Sequence, residues 1–418
     1  MPRRIKMGSL FKIAIRNLLR YKRRTLLTVS LITVGVVFVF VFVSISGSFK
    51  KMMISQITDS MLGHLQVHRK GYVASIETLP LNLNLKGDAI NRLEKVLNEQ
   101  PEIESYSPRV KFGGLFSNFA ETSSIRLTAI YPEQEFKTVP LLPARVIEGN
   151  KDLKLGGILI PELLARGMKV KPGDTVVVVA TNVDGSVNGK QFNVTGILES
   201  ATGPGGRDGY IHIDDARELL RMDGKQISEY AIRLKDFGKL TIFSKKLEQR
   251  LAKELNKQGK PMFELHTWEK LSPFFNIARM IDLMTFFIKL MLVAIVLISI
   301  MNVMIMAVYE RIREIGTIAA IGTLPGKILS IFVIEGFCMG MAGALIGNIA
   351  GIVLVYIINL LKISYNFGQQ KGLILHANIY IIEILVISVT VIIVSVIASL
   401  QPAFKASRLE PIKALRHV

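Results

Sequence analysis

Four long stretches of the chain contain no charged side chain. Residues 25–49, 290–309, 336–361 and 384–404 lack Asp, Glu, Lys and Arg altogether. A helix needs about 20 apolar residues to cross a hydrocarbon core of about 30 Å, and each stretch is long enough. The pattern therefore predicts an α-helical membrane protein with four transmembrane helices.

A large domain is predicted between the first and second of these helices. Residues 49–280 have a mixed composition and are far too numerous for a connecting loop. Helix patterns run from Asp88 to Leu97 and from Asp214 to Met222. Strand patterns occupy residues 176–180, 192–197 and 230–234, with a hairpin turn at Asp184-Gly185. We therefore expect an α+β extracytoplasmic domain inserted between transmembrane helices 1 and 2.

The helical pattern continues beyond the outer ends of the first two spans. The apolar positions are Phe49, Met52, Met53, Ile57 and Met61 after the first span, and Phe274, Ala278, Ile281, Met284 and Ile288 before the second. These two stripes could pair as a stalk that carries the outer domain, or they could be two short helices that cap it.

Basic residues set the expected orientation. Residues 1–24 contain nine Lys and Arg side chains and no acid, so the N-terminus is predicted to be cytoplasmic, and four spans bring the C-terminus to the same side. The predicted order is a cytoplasmic amphipathic N-terminal helix 1–24, TM1 25–48, the outer domain with stalk ends 49–280, TM2 281–309, a cytoplasmic helix 310–327, TM3 328–361, an outer loop 362–383, TM4 384–404 and a cytoplasmic tail 405–418.

The segment before the first span has two faces. Apolar residues recur at helical spacing at Phe11, Ala14, Ile15, Leu18 and Leu19, while Lys12, Arg16 and Arg20 lie four apart on the other face. This pattern is typical of a helix in the membrane interface, with its basic face toward anionic lipid. A helix packed in a soluble domain is the alternative.

Charge and cysteine content narrow the class of protein further. The net charge of +19 lies largely in the N-terminus and tail, where it indicates membrane topology and contact with anionic lipids; no nucleic acid is expected as a partner. The single cysteine, Cys338, lies within the third span and excludes an intrachain disulfide. The first apolar segment is too long for a cleavable signal and is interpreted as a retained helix.

Candidate residues for chemistry are few. The nearest approach to a P-loop, Gly322 to Lys327, is one residue short between its glycines and is followed by Ile328, so ATP hydrolysis by that route is excluded. His64 and His68 are four apart, but no Glu lies between them and the local pattern is that of a strand. We expect no catalytic residue, no metal site and no cofactor bound by this chain.

The loop between the second and third spans predicts a short amphipathic helix. Glu310, Arg311, Arg313 and Glu314 are its charged residues. Its apolar residues are Ile312, Ile315, Ile318, Ala319 and Ile321. A helix along the membrane with its charged face open to a partner, or a loop helix that only packs on lipid, would give this pattern.

The third span has a column of small residues. Gly336, Gly340, Gly343, Gly347 and Gly351 follow one another at intervals of 4, 3, 4 and 4, which favours tight helix packing, within the chain or in a dimer. Three charged residues, Glu335, Lys289 and Glu383, fall at the ends of spans, where we expect them to reach the membrane surface. An ion or proton pathway is therefore not expected.

Several motifs together resemble those of the FtsX/MacB/LolC/LolE permeases of ABC transporters. The loop reads Glu310-Arg311-x-x-Glu314-Ile315-Gly316-x-x-x-Ala320-x-Gly322, and a glycine-rich span follows. Other segments are also similar to this family. They are Ala14-x-Arg16-Asn17-Leu18 near the start, Leu164-Ala165, Gly173-Asp174 and Val194-x-Gly196-Ile197 in the outer domain, and Gln401-Pro402-Ala403-x-x-x-Ser407-Arg408-Leu409-x-Pro411 at the end. The sequence departs from the family at Thr323-Leu324-Pro325-Gly326 and lacks the fused ATPase of MacB.

The resemblance implies a mechanotransmission permease in the bacterial inner membrane. The ATPase-coupling residues would be Glu310, Arg311, Arg313, Glu314, Ile315, Gly316, Ala320 and Gly322. Implied partners are two copies of a separate ABC ATPase that binds ATP and Mg, a second identical or homologous permease, membrane lipids, and a periplasmic chaperone or adaptor. The cargo would be a lipoprotein released from the inner membrane, or else compounds or peptides exported as by MacB. A membrane scaffold or signalling protein without transport is the alternative of another class.

Overall fold

The computed structural model describes residues 7–201, 207–367, 370–374 and 376–410. Residues 1–6, 202–206, 368–369, 375 and 411–418, which include Pro411 of the closing motif, lie outside the described residues. The helices are α1 (Met7–Arg20), α2 (Lys22–Ile57), α3 (Asp88–Asn98), α4 (Pro132–Thr138), α5 (Glu162–Met168), α6 (Ile213–Leu219), α7 (Leu240–Leu251), α8 (Trp268–Leu271), α9 (Phe274–Glu310), α10 (Ile312–Ala320), α11 (Pro325–Leu360) and α12 (Ile381–Ser407).

The strands are β1 (Leu65–Arg69), β2 (Leu85–Lys86), β3 (Ile103–Ser117), β4 (Thr122–Ile130), β5 (Val146–Gly149), β6 (Gly157–Pro161), β7 (Thr175–Thr181), β8 (Val187–Leu198), β9 (Gly209–His212), β10 (Gln226–Ile227), β11 (Glu229–Leu234), β12 (Phe263–Thr267), β13 (Ser364–Phe367) and β14 (Gln370–Ile374). The three predicted strands lie within β7, β8 and β11, and the predicted turn joins β7 to β8. The predicted outer-domain helices are confirmed as α3 and α6.

The chain divides into two compact units. The membrane unit comprises residues 1–50, 279–364 and 374–418, and the inserted domain comprises residues 51–278 and 365–373. Within the described residues, α2, α9, α11 and α12 are long and apolar enough to cross a membrane, which confirms the four predicted spans. Each of these helices is longer than its charge-free stretch.

The membrane unit has an apolar core of its own. Side chains from all four long helices meet in it, including Val36, Val296, Met339 and Val391, none more than 2% exposed. Helix α1 contributes Leu18 to the same core, and Ala14 of this helix is fully buried. The other apolar residues of the predicted face, Phe11, Ile15 and Leu19, remain exposed, so only part of that face packs on the protein.

The inserted domain is built on a ten-stranded mixed sheet. Its order is β12-β1-β11-β3-β4-β9-β6-β8-β5, and β7 pairs with both β3 and β8. The pairings β4 with β9 and β6 with β8 are parallel, and the other pairings in this sheet are antiparallel. Helices and strands share one core, which confirms the α+β class.

The apolar stripes beyond the first two spans enter the core of the inserted domain. Met53, Ile57 and Met61, at the end of α2 and in the π-helical turn after it, are at most 3% exposed in that core. Ala278, near the start of α9, belongs to the same core. The end of α2 and the start of α9 therefore belong to the packed interior of the inserted domain.

Candidate functional site

Helix α10 occupies the segment between α9 and α11. The backbone leaves the helical region at Arg311 (φ −113°, ψ 16°), which ends α9 and starts α10 in a new direction. At the other end Gly322 takes a left-handed φ of +91°, and the Thr323 amide donates to the Ile318 carbonyl at 3.2 Å. This left-handed conformation favours glycine, because a residue with a Cβ would be strained there. Pro325 then begins α11. The structure thus confirms a short helix here.

Arg311 is buried at the start of this helix. Its side chain is 5% exposed, and Nη1 donates to Oε1 of Glu335 on α11 at 3.1 Å. Nη2 donates to the carbonyl of Asn17 on α1 at 3.4 Å, and the guanidinium lies 4.5 Å from the centre of the Tyr21 ring. One side chain therefore connects α10 with α11 and with the N-terminal helix. Arg311 does not lie on an open charged face.

Glu335 is the acidic half of this buried pair. Its side chain is 1% exposed, and Oε1 also accepts a hydrogen bond of 2.8 Å from Nδ2 of Asn17. The expectation that Glu335 reaches the membrane surface is therefore wrong. Lys289 and Glu383 are each 31% exposed and pair with one another at 2.8 Å. An ionised carboxylate inside the protein needs a cation beside it, and Arg311 supplies one.

The two other acids of the segment are paired with basic residues of the N-terminal region. Oε2 of Glu310 accepts from Nη1 of Arg24 at 2.8 Å, and Oε1 of Glu314 accepts from Nη1 of Arg20 at 3.1 Å. The second pair is largely exposed, with 65% of Arg20 and 49% of Glu314 accessible. The basic cluster before the first span thus holds α10 as well as giving the N-terminus its charge.

The outer surface of α10 mixes charged and apolar side chains. Arg313, Thr317 and Ala320 are exposed, while Ile315 and Gly316 are buried against the membrane unit. Ile318 is 42% exposed and Ile321 is 80% exposed, so the apolar residues of the predicted face are only partly covered by this chain. A surface of this kind can seat a partner protein or meet lipid.

The glycine column of α11 faces two helices of the same chain. A Cβ built on Gly336 or Gly340 would lie within 2.6 Å of the Cβ of Ser399 or Ser395 on α12. A Cβ on the next three, Gly343, Gly347 and Gly351, would lie 2.5 to 2.7 Å from atoms of Ile32, Val36 and Phe40 on α2. The column changes partner half-way along, and both contacts are intrachain.

A second buried charge cluster lies in the inserted domain. Arg109 on β3, 2% exposed in its side chain, reaches Glu135 at 2.7 Å and Glu229 at 3.0 Å. Burial raises the pKa of Glu229, but Lys111, the hydrogen bond with His68 and Arg109 outweigh it, so the pKa lies far below its usual value. Burial lowers the pKa of Arg109, and the two carboxylates raise it above normal. The cluster ties β1, β3, β11 and α4 together.

The histidines and the P-loop-like segment have structural surroundings. His64 Nδ1 accepts from the Leu234 amide at 2.9 Å, and His68 is buried on β1 beside Glu229. Among the described residues no group of three His, Cys, Asp or Glu side chains could hold a metal ion. Gly322 to Leu324 lie in the turn between α10 and α11, and Pro325 to Lys327 begin α11, so helix α10 and not a strand precedes the glycines.

The sequence reasoning missed Asn17, Tyr21 and Glu335 as members of the α10 site. One signal was available for Glu335: an acid in an apolar segment needs a buried cation, and Arg311 is close along the chain. Nothing in local spacing pointed to Asn17, which lies 318 residues from Glu335.

Comparison with known protein families agrees with this architecture. Residues 25–250 match the family described as MacB-like periplasmic core domain. Residues 286–411 match the family described as FtsX-like permease C-terminal. The chain belongs to the FtsX/MacB/LolC family of ABC transporter permeases.

Individual relatives are similar over most of their length. The lipoprotein-releasing system transmembrane protein LolC of Neisseria meningitidis serogroup B is 25% identical over 420 residues, covering 94% of each chain. The corresponding LolE of Haemophilus influenzae is 23% identical, covering 77% of this chain and 80% of its own. The crystal structure of the periplasmic region of MacB from Actinobacillus actinomycetemcomitans aligns with 49% of this chain and 89% of its own, at 15% identity and a TM-score of 0.35.

Proposed function

We propose that this chain is the permease subunit of a transporter that uses ATP hydrolysis in a separate ATPase to release lipoproteins from the inner membrane. The observation that carries the proposal is the similarity to LolC over 94% of both chains. We propose a lipoprotein cargo because that relative is a lipoprotein-releasing system transmembrane protein.

Helix α10 is the proposed contact with the ATPase. The exposed residues Thr317 and Ile318 of this helix, with Ile321 directly after it, offer a mixed polar and apolar surface of the kind found in protein interfaces. Behind them, Arg311 connects the helix to α11 and α1. A force applied to α10 would therefore reach the third span through a buried ion pair.

The membrane orientation is part of the proposal. The basic N-terminal segment and α10 would face the cytoplasm, where ATP is available, and the inserted domain would face the periplasm. The last residues of α2 and the first residues of α9 belong to the core of that domain, so displacement of either helix would move packed residues such as Ile57 and Ala278.

Capture of the ATPase tests the contact. A tagged full-length chain is co-expressed and purified with a candidate ABC ATPase of the same organism, in wild-type form and as Ile321→Glu, which places a charge at an 80% exposed apolar position of the surface. Ile242→Glu is the matched control, because Ile242 is 75% exposed on α7 of the inserted domain. We expect only Ile321→Glu to lose the ATPase. Equal capture by both variants would mean that this surface is not the contact.

Release of cargo tests the function. The complex is reconstituted in proteoliposomes with a fluorescent triacylated lipoprotein, and soluble lipoprotein is measured after ATP is added together with a periplasmic acceptor. ATP-dependent release is the expected result. ATP hydrolysis without release of any lipoprotein tried would support export of another compound as the function.

A further inference from the structure

Asn302 is a polar residue on the outer side of a membrane helix. It lies on α9 within the charge-free stretch 290–309, about 4 Å from the middle of that stretch at a rise of about 1.5 Å per residue. The residue is exposed, and among the described residues its carboxamide has no hydrogen-bond partner. A carboxamide that faces hydrocarbon loses its hydrogen bonds to water and gains none in return. This position therefore favours a polar partner at the same depth in the membrane.

Asn302 belongs to a continuous exposed face of α9. Because successive residues of an α-helix are about 100° apart, positions spaced by 4, 3, 4, 4 and 7 residues fall within an arc of about 80°. The residues at these positions, which we call the α9 face, are Phe287, Met291, Ala294, Ile298, Asn302 and Tyr309. All six are exposed. The face thus extends along the whole predicted span and is left uncovered by the described part of the chain.

The exposed side of α12 has a different composition. Between residues 384 and 400 its exposed residues are Leu385, Val386, Val389, Ile393, Ile397 and Leu400, all of them aliphatic. Two polar residues of the same helix, Ser395 and Ser399, are buried against α11. A surface that meets only lipid gains nothing from a carboxamide, and the described α12 surface within this range contains none.

The α9 face has the composition of a contact between membrane helices. Ala294 lies about two turns from Asn302 and is small enough to let a second helix approach closely. A carboxamide between two helices can form hydrogen bonds across them, which lipid does not offer. We therefore expect another helix, and not lipid alone, against this face.

A second copy of the same helix matches this face. Two copies of the chain in one membrane have the same orientation, so a twofold axis along the membrane normal brings Asn302 of each chain to the same depth. A carboxamide carries both donors and an acceptor, so two of them can satisfy each other reciprocally. The face also contains no charged residue that would repel its own copy. An unrelated helix would need a polar side chain at this one depth.

We propose that the α9 face is a contact between two copies of this chain, in which the two Asn302 side chains hydrogen-bond to each other inside the membrane and set the register of the paired helices. A single polar residue in an otherwise apolar helix contact is a known means of fixing register. The proposal does not depend on the identity of the ATPase or of the cargo.

Cysteine cross-linking of the purified full chain in liposomes tests the face. In a Cys338→Ser background, Ala294→Cys and Ile298→Cys are each oxidised with copper phenanthroline, and Ile393→Cys on α12 is the control. Ile298 and Ile393 are matched, because they are 53% and 52% exposed and each lies within two residues of the middle of its charge-free stretch. We expect a covalent dimer from the α9 variants and a monomer from the control.

Two results of the cross-linking would overturn the proposal. Equal yields at Ile298 and Ile393 would indicate random collision between copies. No dimer from either Ala294→Cys or Ile298→Cys would mean that this face does not meet its own copy.

Replacement of Asn302 tests the hydrogen bond. Asn302→Leu removes the carboxamide and makes the span more apolar, so the helix still crosses the membrane. Donor- and acceptor-labelled chains are mixed in liposomes, and energy transfer is followed as added lipid dilutes the protein. We expect Asn302→Leu to raise the dissociation constant about three- to tenfold and Asn302→Gln to keep most of the association.

Ser30→Leu is the control for this replacement. Ser30 is exposed on α2, but a hydroxyl can bond to the backbone of its own helix, so the variant should leave the dissociation constant unchanged. An equal effect of Ser30→Leu and Asn302→Leu would overturn the proposal. Energy transfer that stays at the level of unassociated chains at every dilution would also overturn it, because the face would then meet lipid or a different helix.

Discussion

Arg311 and Glu335 form an ion pair in the interior of the membrane unit, with Nη1 3.1 Å from Oε1 and side chains only 5% and 1% exposed. The pair joins the start of α10 to the eleventh residue of α11. Removing one partner leaves the other charge buried alone, which is costly, whereas replacing both with apolar residues removes the charge altogether.

Substitution of one member of this pair is expected to destabilise the protein. Arg311→Met should lower the free energy of unfolding by about 3 to 5 kcal/mol, because Glu335 keeps a buried charge. Arg311→Met with Glu335→Leu should recover much of the loss. Thermal unfolding in detergent measures both. If the double variant is stable but does not couple ATP hydrolysis to movement, the ion pair transmits force. If the double variant couples fully, the ion pair serves stability only.

Exchanging the charges of Glu314 and Arg20 distinguishes two roles of Glu314, the ion pair within the chain and the proposed contact with the ATPase. Glu314→Arg would oppose Arg20, and adding Arg20→Glu would restore their pair in reverse. Since both side chains are about half exposed or more, stability should change by less than about 1 kcal/mol. We expect ATPase capture to fail in both variants because the outward charge is reversed in both.

The matched control for this exchange is Asp88→Arg with Arg92→Asp, an exposed pair on α3, which should leave capture intact. Recovery of capture by the Glu314 and Arg20 exchange would mean that Glu314 acts only within the chain.

Alanine at Gly343 tests the glycine column. The new Cβ would lie 2.5 Å from Cγ2 of Ile32, closer than packed carbons allow, so either helix must shift. We expect a loss of about 1 to 3 kcal/mol in stability. Gly47→Ala on α2, where a Cβ meets no atom within 4 Å, should cost far less. Similar melting temperatures for the two variants would contradict the contact.

Acid should weaken the inserted domain through Glu229. Burial alone would raise the pKa of Glu229. Lys111, the hydrogen bond with His68 and Arg109 together lower it by more than burial raises it, so the pKa in the folded protein lies below the unfolded value of 4.5. The resulting stabilisation is complete above that value and is lost as the pH falls below it toward the folded pKa.

The Glu229 variant gives the measurement. Glu229→Gln should be less stable than the wild type at pH 7, because Arg109 loses a carboxylate partner, and the difference should shrink between pH 5 and pH 3. Thermal unfolding of both proteins across this range is compared. A difference that stays constant with pH would show that the charge of Glu229 does not matter.

Cysteine labelling tests the orientation. In a Cys338→Ser background, Ser186→Cys on the exposed β7–β8 turn should react with an impermeant maleimide in intact spheroplasts, and Thr317→Cys on α10 should react only after lysis. We expect this orientation because Lys and Arg residues that flank a span favour the cytoplasmic side, and the N-terminal flank is basic. The reverse order of labelling would invert the topology.

The sequence predicted helices and strands well where periodicity or absence of charge extends over many residues. It predicted α10 from the spacing of its charged and apolar residues, and it predicted close packing at Gly336 to Gly351. It could not identify the helices that fill this column, because small-residue spacing describes one surface and not its partner. The contact between Asn17 and Glu335 escaped for the same reason, since only the folded chain brings them together.

The change of partner along the glycine column has a mechanical consequence. Gly340 meets Ser395 of α12, and three residues further Gly343 meets Ile32 of α2. At both places the backbones lie too close for the helices to slide past one another without a collision. The first, third and fourth spans should therefore be displaced together as a single block, so that a push delivered at Arg311 is carried across the bilayer with little loss to bending.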